Sequence, residues 1–147
     1  MNLAKGSRPT SIQVFATLFA LQALLVFAVN ISDIDGQLAY FSGRYPQFGL
    51  DRDAIIVIIC ARLSIAAFPI ALVWFFAKSF AKWFCAAFAA LRLTRIPSFV
   101  MLFAEQGILD WSWLLSSLLM AVAVAALFTR ESSEWFRQRE VDSAVFE

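Results

Sequence analysis

The sequence has no histidine, two cysteines, four prolines and five glycines, and only 16% of its 147 residues are charged. Soluble domains carry about a quarter. Without histidine the chain lacks the commonest metal ligand, the usual haem and chlorophyll ligand, and the usual general base. Cys60 and Cys85 fall in separate apolar stretches, one in the outer half and one near the inner end. That difference in depth exceeds the roughly 7 Å Cα separation a disulfide tolerates, so both read as small buried apolar residues. No nucleophile elbow, Walker loop, dinucleotide fingerprint or Cys-x-x-Cys pair occurs. No acidic residue lies inside an apolar stretch, so no proton relay is expected there. There is no internal repeat of the kind that builds transporters from inverted halves. Net charge is +1, which gives no reason to expect a nucleic-acid partner. These absences exclude most catalytic classes, and the chain is expected to be a non-enzyme with no cofactor and no metal.

What is present is apolar. Hydrophobic residues make up 61% of the chain, with sixteen phenylalanines and five tryptophans, and mean hydropathy is +0.74. Four stretches, residues 9–32, 54–77, 83–104 and 111–129, are 24, 24, 22 and 19 residues long. A hydrocarbon core of about 30 Å needs roughly 20 helical residues, so each stretch suits a crossing. The expected fold is an all-α integral membrane protein: a single transmembrane domain of four helices, with a polar tail helix over 130–147. A basic start before the first stretch resembles a signal peptide. The stretch is too long for an h-region and no clear cleavage site follows, so it reads as a retained helix.

Arg8, Pro9, Thr10 and Ser11 make a reasonable helix entry, with Ser or Thr able to cap. Ala16 with Ala20, and Ala121 with Ala125, are small pairs four apart that suit close helix contact. Residues 33–53 form the one long loop, rich in Asp, Gly and aromatics, and part of it suits a short interfacial helix. Asn30, Ile31 and Ser32 match a glycosylation sequon at the membrane edge, a weak signal. Pro69 should kink or loosen the second helix. Ser116 and Ser117 are mildly polar and able to bond to their own backbone. Arg130 and Glu134 form an i,i+4 pair, which suggests a solvated helix continuing out of the fourth span, with Trp135 and Phe136 resting on the bilayer or a partner.

Orientation follows from the basic residues. Lys5, Arg8, Lys78, Lys82, Arg130, Arg137 and Arg139 lie on one side, and only Arg44 and Arg52 on the other. By the positive-inside rule both termini are cytoplasmic, in the inner membrane if the source is bacterial.

Three arginines remain. Arg62 is nine residues in from Asp53, roughly 14 Å deep at about 1.5 Å per residue. Arg92 is ten residues in from Lys82, about 15 Å from the other side. Arg95 is about one turn further along the same face. Gln22 falls at similar depth and is expected to bond to a neighbouring helix. Charges at such depth usually face a bundle interior or wet cavity and mark a candidate site. Arg62, Arg92, Arg95 and Gln22 are therefore the candidate anion- or lipid-binding residues. Two structural alternatives compete. Residues 78–95 fit an amphipathic helix along the inner surface. The arginines also fit a packing role, bonded to carbonyls and to Gln22.

Two functional expectations follow. The first is a small non-enzymatic inner-membrane protein, an accessory or assembly subunit working through helix and lipid contacts, whose partners are the bilayer and other membrane subunits or copies of itself. The second is an oligomeric binder, channel or transporter component for an anionic substrate or lipid, using the arginines at depth.

Overall fold

The computed structural model describes residues 8–76, 79–94, 96–97, 100–101, 104 and 110–144. Every element of regular structure among them is helical. Helix α1 spans Thr10–Ser32, α2 Ile34–Arg44, α3 Arg52–Ala71, α4 Ser79–Leu93, α5 Trp111–Ala126 and α6 Arg130–Ala144. Among the described residues two helices are long and apolar enough to cross a membrane, Thr10–Ser32 and Arg52–Phe75. The pair Trp111–Ala126 and Arg130–Arg137, bent by 54°, is a third candidate. These helices are consistent with membrane localisation. The stretch expected over 83–104 begins earlier, at Ser79, and its first unbroken helix ends at Leu93. On its own α4 is too short to cross.

Asparate side chains set the helix starts. Asp33 accepts from Gly36 N (3.1 Å), Asp51 from Ala54 N (2.8 Å) and Asp110 from Trp113 N (2.9 Å). Each meets a backbone donor that the first turn leaves unpaired. Gly36 is required by its cap, because a Cβ there would lie 2.2 Å from Asp33 Oδ2. The entry to α1 differs from expectation. Pro9 occupies the cap position with no side-chain hydrogen bond, and Ser11 turns inward instead. The long loop is largely ordered as α2 and a 3-10 turn, Pro46–Phe48, which ends on Gly49 in the left-handed region at φ 54°.

Pro69 has the expected effect on α3. It lacks an N–H for the helical ladder. Three residues later the backbone widens into a π-helical segment, Leu72–Phe76, and Leu72 N donates to both Phe68 O and Pro69 O.

Helix α1 is the hub, packed along α3 and α5. Its buried face is Ser11, Ile12, Phe15, Phe19, Gln22 and Ala23, a helical spacing. Val14, Leu21, Leu24 and Val29 are exposed on other faces, so this helix is apolar all round. On α5 the buried face is Ser116, Met120, Ala123 and Val124. Ala121 and Ala125, expected to mediate close contact, face outward. Cys60 is also exposed, whereas Cys85 is buried, and both are free thiols.

Helix α4 runs antiparallel beside α5. At one end Trp83 packs on Phe128, with ring centroids 5.5 Å apart. At the other, Arg92 reaches Ser116 and Ser117. Those contacts are about 18 Å apart along α5 at 1.5 Å per residue.

The tail helix is not a solvated extension. Trp135 and Phe136 are 7% and 0% exposed and join Ile12, Phe15 and Leu127 in the core. Ser132 Oγ donates to Ala126 O (3.0 Å) and lies 2.8 Å from Ser11 Oγ, closing α6 onto the start of α1. The expected pair of Arg130 and Glu134 is present at 2.9 Å, and the hydrogen bond to Glu134 raises the Arg130 pKa above its ordinary value.

Candidate functional site

Helices α1 and α3 run antiparallel: Arg8, just before α1, donates to Trp74 O, just beyond α3 (3.4 Å). Gln22 is near the centre of α1 and Arg62 near the centre of α3. Arg62 follows Ile55 and Ile59 at helical spacing, so it leaves α3 on the face that packs toward α1. Arg92 is in the last turn of α4.

These three residues line one cavity of about 230 Å³, together with Asn30. Its walls are apolar, with Phe19, Ile59, Phe88 and Met120 among them. No acidic side chain lines it among the described residues. Admission of a single water requires only about 10–15 Å³, so the space holds a polyatomic group. Arg95, the fourth candidate residue, lies outside the described residues.

The three polar groups differ in how they are satisfied. Arg92 is half-buried and fastened to α5: Nε donates to Ser117 Oγ (3.1 Å) and Nη2 to Ser116 Oγ. Ser116, 1% exposed, passes its own proton to Trp113 O (3.0 Å), which leaves its lone pairs for the guanidinium. Each hydrogen bond to a charged group contributes about 1.5–3 kcal/mol, so Arg92 serves as a strut between α4 and α5. Gln22 is different. It is 6% exposed and makes no hydrogen bond among the described residues. Its amide atoms are not among those sealed from all contact, so the amide is left to the cavity. The expected bond from Gln22 to a neighbouring helix is absent among the described residues. Arg62 is exposed and has neither a hydrogen bond nor an ion pair among the described residues. An arginine at the centre of a membrane helix costs about 2.5–3.5 kcal/mol on insertion scales. Arg62, near the centre of α3, would bear that cost with no partner among the described residues, whereas Arg92, in the last turn of α4, has the two serines.

Of the four residues singled out from the sequence, Gln22, Arg62 and Arg92 thus meet at one cavity. The serine pair was read from the sequence only as bonding to its own backbone. Its signal was position: two adjacent hydroxyls about five residues inside a helix, near the depth expected for Arg92. Asn30 also lines the cavity. It lies eight residues from Gln22, two turns along the same face of α1. Comparison with family models, curated proteins and solved structures finds no match.

Proposed function

We propose that the chain is a four-span membrane protein, with both termini cytoplasmic, that holds an anionic group in the cavity between α1, α3 and α4. The third span would be α4 continued through the helical residues described up to position 104. One observation carries the reading: Gln22 and Arg62, both without hydrogen bonds among the described residues, line the same cavity. An arginine presents a planar fork of donors that matches carboxylate or phosphate oxygens. Gln22 adds an amide N–H, and the Arg92 strut keeps a second cation beside it. The groups present bind and orient an anion; none supplies acid–base chemistry, which favours binding or passage over catalysis. The test is mass spectrometry of small molecules and lipids carried through purification in mild non-ionic detergent. Anionic species should accompany the native protein and be depleted from the Arg62→Gln variant. Equal content in both proteins would contradict the proposal.

A second reading, an accessory subunit acting through helix contacts, draws support from the outward face of α4. Phe80, Trp83 and Leu91 are each more than 60% exposed there. Native purification tests it: co-migration with other membrane proteins is expected, and a lone monomer would count against it.

A further inference from the structure

We infer that the anionic group is the carboxylate of a single-chain amphiphile, of the fatty-acid class, which enters from the hydrocarbon. The inference rests on the anion-binding reading above and adds the ligand's class and route.

Access comes first. Arg62 is exposed on the flank of α3, and that flank is mostly apolar: Ile65, one turn on, is 55% exposed and Phe68 54%, while the exposed Ser64 beside them donates its hydroxyl back to Cys60 O (3.1 Å). The way to the guanidinium from that side runs through lipid-facing surface. Ile65 lines the cavity as well, so the apolar flank and the polar interior are continuous. A water-soluble anion has no solvated path across such a flank. An amphiphile already dissolved in the acyl layer does.

The head group comes second. A phosphodiester remains ionised and bears the full penalty of leaving water, which is large for any isolated ion. A carboxylic acid crosses as the neutral species. Beside a guanidinium its ionised form is then favoured, because a nearby opposite charge lowers a carboxyl pKa. Gln22 suits both forms. Its carbonyl accepts from the acid and its amide donates to the carboxylate. The cavity of about 230 Å³ takes a compact head and the start of a chain, and apolar walls such as Phe19 and Phe88 cover methylenes.

The experiment uses the full chain in phosphatidylcholine nanodiscs, with empty nanodiscs as the reference for partitioning. Radiolabelled dodecanoate, dodecanol and inorganic phosphate are each measured by equilibrium dialysis. Dodecanoate should bind saturably, about tenfold or more tightly than dodecanol. Arg62→Gln and Gln22→Leu should each lose about tenfold or more of that preference, since each removes a hydrogen bond to a charged group. Arg44→Gln, at the far end of α2 from the cavity, should behave as the native chain does. A thermal melt of each variant verifies folding. Phosphate bound with the same dependence on Arg62, and dodecanoate not, would overturn the amphiphile while keeping the anion site. Dodecanoate bound no better than dodecanol, with no probe sensitive to Arg62, would overturn both.

Discussion

One end of the bundle and its middle treat polar groups in opposite ways. Where α1 begins and α5 meets α6, polar atoms are paired within the chain: Ser132 bonds Ala126 O and meets Ser11, around Ile12, Phe15, Leu127 and Phe136. Midway along α1 and α3, Gln22 and Arg62 are left facing a cavity. The closed end has an exception, Trp135 Nε1, buried without a partner among the described residues. The contrast teaches how to separate structure from function in a helix bundle. On the proposed reading, the polar groups that hold helices together find each other, whereas Gln22 and Arg62 are kept for a ligand. Arg92 belongs to both, with its guanidinium on Ser116 and Ser117 and its side chain on the cavity wall.

Substitutions can break that contrast. The largest effect should come from Phe136→Ala at the closed end, a loss of about 3–5 kcal/mol as for other buried phenylalanines, read by thermal or denaturant unfolding in detergent. If the loss is under about 1 kcal/mol, α6 is not docked as described. Arg92→Leu should cost about 3 kcal/mol by removing the two hydrogen bonds of the strut to both serines. An unchanged melt would mean that the hydroxyl contacts contribute nothing. Arg62→Leu should have the opposite sign, stabilising the protein by about 1 kcal/mol or more in lipid, because an unpaired cation leaves the helix centre. Destabilisation instead would show that Arg62 has a structural partner. Ser132→Ala should cost about 1 kcal/mol and leave the Ser11 hydroxyl orphaned. A double-mutant cycle with Ser11→Ala should then show coupling between the two positions. The smallest effect is expected from Trp135→Phe: within about 0.5 kcal/mol or slightly stabilising, since the indole N–H it removes is unsatisfied.

Much of this architecture can be read from residue order, and the rest fails for a common reason. Apolar run length marks α1 and α3 closely, because a run of that length has few alternatives. Pro69 marks the weakened segment, because a missing N–H acts wherever it falls. Counting from Arg8 and Asp53 puts Gln22 and Arg62 level. Rotation about each helix axis is what remains hidden. In a soluble helix a polar face reveals the buried one. Helix α1 and helix α5 are apolar on every side, so nothing in α5 shows that Ala123 turns inward and Ala121 outward. The same ignorance of rotation conceals the reach of Arg92 to Ser116 and Ser117. The docking of Phe136 and the meeting of Ser11 with Ser132, 121 positions apart, depend on the 54° bend after Ala126. Local sequence there, a polar run with an i,i+4 ion pair, describes a solvated helix equally well.

The most direct test concerns where the Arg62 guanidinium lies. Solid-state NMR on arginine-labelled protein in bilayers can measure dipolar contact from its Cζ to headgroup phosphorus and to the Gln22 side chain. The expected result is contact with Gln22, or with a carboxylate held between them, and none with phosphorus. Close contact between Arg62 Cζ and headgroup phosphorus, with Gln22 remote, would put the charge at the membrane surface and contradict a cationic cavity inside the bundle.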